Sequence, residues 1–341
     1  MVRNLVLNAN FNPILIGSLP FQSPDEALEV VFQYCPKSPS WPQLPKITSN
    51  ESMSFQYLEG IPGWILDGES VLFLEPEEIK NLELVLNYLE IRNLNYFAIS
   101  EKFSLTFDKF IKKLQDKKVE LIKGQVIGPI TFLTSHKKKS NHLLISDDFY
   151  KDIIPKALKL KADYQVHAFD SVNPMSSKII FFDEPILSQI GSAVLNLKKE
   201  EVKKVYDDIL GSDLNYYAGM HICGNSEWDF ILSLPIKIIN FDAYKYLEEF
   251  FLYEKDIKKF VDKGGYIAFG IIPTDSDDLI GVTEYEIKER IFYIEEKIKE
   301  LTGLDKISER IFYTPSCGMG ALSAEETFKV LNLLSNIKKG Q

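Results

Sequence analysis

The 341-residue chain is 45% hydrophobic and 26% charged, with a formal net charge of −10. That apolar content excludes an intrinsically disordered chain, and the acidic balance argues against a nucleic-acid partner, which calls for a basic surface facing phosphate. No run approaches the ~18 consecutive apolar residues of a membrane span, and three cysteines are too few for a disulfide scaffold, so the sequence reads as a soluble cytoplasmic protein with no membrane partner.

The N-terminal stretch is apolar in patches but broken by Asn8, Asn10, Asn12 and Pro13, a poor pattern for a signal peptide. Residues 14–18 form the first predicted strand. A helix follows over Pro24–Tyr34, opened by a Ser23/Glu26 capping box in which each side chain satisfies an orphan backbone donor. The second predicted strand is 41–45, and residues 60–100 then make an enlarged excursion. Strands are predicted at 120–127, 178–183, 216–223, 237–241, 266–271 and 311–314. Between and after them, helices are predicted at 150–169, 199–210, 284–301 and 324–334, the last behind a second capping box, Ser323/Glu326. Eight strands alternating with helices predict an α/β fold, a single (β/α)8 TIM barrel spanning 1–341 with insertions. An open doubly wound sheet is the alternative that periodicity leaves standing.

The strongest chemical signal is His221-Ile222-Cys223-Gly224 at the end of the fifth predicted strand. Residues two apart on a strand share a face, so a nitrogen and a sulfur stand side by side. Cys317 follows the eighth predicted strand, and Asp242 follows the sixth. Three strand ends thus bring His221, Cys223, Asp242 and Cys317 to one rim, a donor set suited to Zn2+. A lone buried cysteine is more often a small hydrophobe, which is the reading given to Cys35. His136 and His142 flank Lys137, Lys138 and Lys139 in what reads as an exposed, solvated basic loop, and His167 reads as a structural residue on a helix.

With these residues in place, the chain resembles the C-terminal catalytic domain of cobalamin-independent methionine synthase, within the superfamily of uroporphyrinogen decarboxylase and the zinc-dependent corrinoid methyltransferases. The matching pieces occur in the family's order: Ile16-Gly17-Ser18-Leu19-Pro20, Gly128-Pro129-Ile130-Thr131, Asp183-Glu184-Pro185, His221-Ile222-Cys223 and Cys317-Gly318. The resemblance implies zinc held by His221, Cys223, Asp242 in place of a glutamate, and Cys317. It implies homocysteine, or another small thiol, bound through Ile16, Gly17, Ser18 and Asp183, with Glu51 (or else Gln43) on the amine. It also implies that this chain lacks the N-terminal barrel of the two-barrel synthase.

The departures from the family bear on the methyl donor. The folate-stacking tryptophan aligns with Ser135, a folate-contacting acid with Gln189, and the catalytic histidine has no counterpart, leaving Asp275 or Asp277 as substitutes. Methylfolate needs its leaving amine protonated, whereas a methylcorrinoid does not. The expectation is therefore a methyltransferase making methionine, with methylcobalamin or another methylcorrinoid favoured over methyltetrahydrofolate and a corrinoid carrier protein as a possible partner. The alternatives are a coenzyme M-type thiol acceptor and a tetrapyrrole decarboxylase. Against the decarboxylase stand only four arginines, Arg3, Arg92, Arg290 and Arg310, where a polycarboxylate substrate calls for guanidinium clamps.

Overall fold

A computed structural model describes residues 7, 9–10, 12–192, 197–211 and 214–337; Arg3 and Asn8 lie outside these. Nine strands are assigned among them: β1 (Trp64–Asp67), β2 (Ser70–Phe73), β3 (Leu121–Ile127), β4 (Lys137–Lys138), β5 (Ser177–Asp183), β6 (Tyr217–Ile222), β7 (Ile238–Phe241), β8 (Tyr266–Ile272) and β9 (Ile311–Pro315). Six of them form one curled parallel sheet in the order β3-β5-β6-β7-β8-β9. Each is preceded or followed by helices that cover its outer face, which is why these strands read in the sequence as continuous apolar runs.

Both faces of the sheet are packed, and they differ. The outer face meets the helices in the main core, which includes Ile122, Val126, Ile180, Phe182, Met220 and Phe269. The inner face holds a smaller cluster: Leu121, Ile179, Phe181, Ile238, Tyr266, Ala268 and Phe312, joined by Leu7, Ala9 and Ile14. Side chains alternate along a strand, so the inner row of each strand continues two residues at a time toward its C-terminal end. There the row turns polar, with Lys123 and Gln125 on β3, Asp183 on β5, His221 on β6, Asn240 on β7 and Thr314 on β9, all buried. The curl therefore has an apolar floor and a polar rim.

The sheet is not the closed eight-stranded barrel expected from the sequence. The predicted strands at 14–18 and 41–45 contribute single parallel bridges instead: Pro13 with Tyr313, Ser18 with Gln43, and Ser40 with Lys123. Proline lacks an amide proton and interrupts a ladder, and Pro13, Pro20, Pro39, Pro42 and Pro45 punctuate these two segments. The other six predicted strands and the five predicted helices are present within one to three residues at each end.

The excursion at 60–100 holds the β1–β2 hairpin, turning at Gly68 with φ 61°, and a helix over Leu82–Glu90. It corrects the reading of the basic loop. Lys137 and Lys138 form β4, which pairs in parallel with β2, and Lys138 bridges Glu75 and Asp147 at 2.7 Å each. His136 is buried, its ring nitrogens 2.9 Å from the Phe132 carbonyl and 3.1 Å from the Ser54 carbonyl. Only the tertiary fold brings the hairpin over this segment. His142 and His167 are exposed, and Cys35 is fully buried at a helix end.

Candidate functional site

His221 is the last inward residue of β6, and strand parity places Cys223 on the same side just beyond the strand end. Cys317 arrives from the loop after β9. His221 Nε2 lies 3.7 Å from Cys317 Sγ, and the ligand atoms of His221, Cys223 and Cys317 all lie within 4.8 Å of one another. Among the described residues this is the group with the composition and spacing to hold a metal ion.

The histidine's tautomer is set from behind. Asn240 donates its amide protons to the Ala268 carbonyl and to Thr314 Oγ1, each at 2.8 Å. Its remaining oxygen accepts from His221 Nδ1. The proton therefore sits on Nδ1, and Nε2 faces the sulfurs as the ligand atom, the arrangement by which an outer partner orients a metal-binding imidazole. The sequence shows Asn240 only as one polar residue in the apolar strand Ile238–Phe241.

Electrostatics favour a thiolate here. A hydrogen bond from Cys317, helped by His221, holds the Cys223 thiol at about 4, while Cys317, facing that thiolate, is pushed well above its ordinary value. Burial opposes charge on His221, but the Cys223 thiolate and Asp183 outweigh it and raise its pKa. One nitrogen, one thiolate and one thiol around a small space fit Zn2+, and three protein donors leave a fourth position for a substrate, as in catalytic zinc sites.

Asp183 ends β5 directly beside His221 in the sheet register. It is 7% exposed, and its Oδ1 is buried without a hydrogen-bond partner. Burial raises its pKa to about 6, against the lowering influence of Lys123 and His221. An orphaned buried carboxylate oxygen of this kind calls for a donor from outside the chain. Next to it, Glu184 is fully satisfied: it accepts from the Ile130 and Thr131 amides, Thr131 Oγ1 and the Tyr206 hydroxyl at 2.6–2.9 Å. Its carboxyl occupies the space that a side chain at Gly128 would need. The Gly-Pro-Ile-Thr and Asp-Glu-Pro motifs are thus two halves of one joint.

The Ile16–Gly17–Ser18 turn closes the rim from the other side. The Met319 amide donates to the Ser18 carbonyl at 2.9 Å and the Gly320 amide to Ser18 Oγ at 3.2 Å. A side chain at Gly318 would displace Ser18 Oγ from its place. First and last motifs therefore meet beside Cys317.

Three expected carboxylates accept backbone amides. Glu51 is buried with its two oxygens on the Leu44 and Leu105 amides at 2.6 Å. Asp242 stays outside the His/Cys group and accepts from the Tyr244 and Lys245 amides at 3.0 Å. Asp275 is exposed and caps the helix Ser276–Ile280. Gln43, the alternative to Glu51, donates to Gln56 Oε1 at 2.6 Å. Ser135 and Gln189 are exposed.

No family model and no curated protein matches the chain. Solved structures do. A provisionally assigned vitamin B12-independent methionine synthase from Listeria monocytogenes superposes with a TM-score of 0.54 at 16% identity, covering 93% of this chain and 86% of that one. A B12-independent methionine synthase from a Shewanella species, in complex with selenomethionine, gives 0.56 at 14% identity, covering 96% and 98%. A methyltransferase from Methanosarcina mazei gives 0.51 at 13% identity, covering 94% and 87%. At these identities the likeness is one of fold. No helix among the described residues is long and apolar enough to cross a membrane.

Proposed function

We propose that the protein is a zinc-dependent S-methyltransferase whose acceptor is an amino-acid thiol, homocysteine, so that its product is methionine. The observation that carries the reading is the convergence of His221, Cys223 and Cys317, with the ligand nitrogen fixed by Asn240, beside the unpartnered carboxylate of Asp183. The names of the methionine synthase and methyltransferase neighbours support it. The bridges that tie residues 13–18 and 40–43 to the sheet support reading the fold as a TIM-like barrel with two reduced strands, and the chain as one catalytic unit.

A zinc ion bound there would acidify a coordinated thiol, whose free pKa is near 8.5, and present it as a nucleophilic thiolate. The chain's own residues orient the acceptor. Asp183 Oδ1 offers an ammonium the partner it lacks. The Ile16–Ser18 turn stands across the rim beside Cys317, where the carboxylate end of the same molecule falls. Asp242, outside the His/Cys group and with only its Oδ1 on backbone amides, is the carboxylate the resemblance offers as a further ligand when the acceptor is absent.

This arrangement favours homocysteine over a sulfonate thiol such as coenzyme M. A sulfonate calls for guanidinium partners, yet Arg92 pairs with Asp163, Arg290 binds the Tyr244 carbonyl and Glu286, and Arg310 the Gly264 carbonyl. Among the described residues, the same placement leaves the decarboxylase reading without its clamps. For the donor, the B12-independent names of two neighbours weigh against the methylcorrinoid and its carrier protein. The engaged Asp275 supplies no acid for methyltetrahydrofolate either, so the donor is decided by assay with each in turn.

The test is zinc content followed by zinc-edge X-ray absorption. One zinc per chain, with two sulfur neighbours becoming three on addition of homocysteine, is the expected result. A sulfur count unmoved by the thiol overturns the proposal.

A further inference from the structure

Lys123 is the charged residue of the inner row that the chemistry above does not use. It is fully buried on β3, where its Nζ donates to the Ile16 carbonyl and, at 3.0 Å, to Gln125 Oε1, and lies 4.9 Å from the centre of the Phe181 ring. Burial pulls its pKa down to about 8, while the charge of Asp183 favours the ammonium form. A glutamine could satisfy a carbonyl without the expense of burying an ammonium. The charge therefore needs a use.

Its bond to Ile16 supplies one. The Ile16–Gly17 peptide is trans, so holding the Ile16 carbonyl on the lysine turns the Gly17 N–H the opposite way. The neighbouring groups of the turn are already engaged: the Gly17 carbonyl accepts from the Gln43 amide at 3.2 Å, and the Ser18 carbonyl and hydroxyl accept from Met319 and Gly320. The amides of Gly17 and Ser18 have no acceptor among the described residues. Two consecutive unpaired amides backed by a buried cation make a local anion-binding end.

We propose that Lys123 is the positioning residue of the acceptor's carboxylate subsite, fixing the Ile16–Ser18 turn with its two amides free and lending its buried charge to the carboxylate they receive. This rests on the reading that the site takes an amino-acid thiol. The experiment compares zinc-loaded wild type with Lys123→Met, which is neutral and similar in volume, and Lys123→Arg, which keeps the charge. Calorimetric dissociation constants are measured for homocysteine and for 3-aminopropane-1-thiol, which has the same thiol and amine but no carboxylate.

The expected result is a homocysteine constant raised roughly tenfold in Lys123→Met, with the carboxylate-free thiol changed less than about twofold, metal content unchanged, and homocysteine preference retained in Lys123→Arg. Equal weakening of both thiols, or no change for homocysteine, overturns the proposal. Failure of the wild type to bind either thiol is a failure of the functional reading instead. The turn is then judged by amide hydrogen exchange over residues 16–19. Faster exchange in Lys123→Met keeps the anchoring role, and unchanged exchange removes it.

Discussion

Asn240 has two donors and one acceptor, and the fold engages both donors, so its oxygen has only His221 Nδ1 to face. Asn240→Leu is therefore expected to weaken zinc binding about 10- to 100-fold by releasing the imidazole, measured by competition with a chelator. Loss of a ligand itself, Cys317→Ser, is expected to abolish stoichiometric binding in the same assay. How much of this was legible in the sequence differs by residue. His221 and Cys223 were readable because strand parity forces them onto one side, and Cys317 because it follows a strand end at the same rim. That Glu51, Asp242 and Asp275 capture backbone amides at 2.6–3.4 Å was not legible, since such a carboxylate has the same residue type and local pattern as one that binds metal or substrate. Lys123 reads as an interruption in a strand until the Ile16 carbonyl is seen above it.

Glu184 joins three elements: it follows β5 directly, accepts three hydrogen bonds from the helix Pro129–Ser135 and a fourth from Tyr206 on the helix Lys199–Leu210. Glu184→Gln replaces one acceptor oxygen with a donor that faces donors, and is expected to cost about 1–3 kcal/mol, read as a lowered midpoint in denaturant. The long helix Asp148–Val172 carries a different device. Lys161 is buried on it, with its Nζ 3.5 Å from the Ala98 carbonyl, and burial lowers its pKa from 10.5 to about 7. Below pH 7 the lysine is charged in both folded and unfolded chains, and the burial cost is full. Between 7 and 10.5 the folded protein binds fewer protons than the unfolded one, so this group makes stability rise with pH. Lys161→Met is expected to melt higher than wild type near pH 6–7, with the gap narrowing toward pH 10. Among the elements, the six sheet strands were legible because burial on both faces leaves mostly apolar runs. The two proline-punctuated segments were not, because a single bridge leaves no period to read.

At the scale of the whole molecule, the metal group couples β6 to the loop after β9, and the turn at Ser18 locks onto that loop at Met319 and Gly320. Zinc that binds only the assembled site adds to folding stability as its concentration exceeds its dissociation constant. Chelation is therefore expected to lower the thermal midpoint and make it depend on added zinc, as differential scanning fluorimetry would show. A midpoint indifferent to zinc would remove the metal from the stability of the fold. The separation of the donors along the chain also sets a timetable. Ninety-six residues divide His221 from Cys317, and a ribosome adding ~5–20 residues per second takes roughly 5–20 s to cross that interval. Throughout it the emerging polypeptide exposes a histidine and a cysteine that grip metal weakly, while the third donor is still unmade. On the proposed zinc reading, loading would be a late event of biosynthesis, waiting on the last donor to be made.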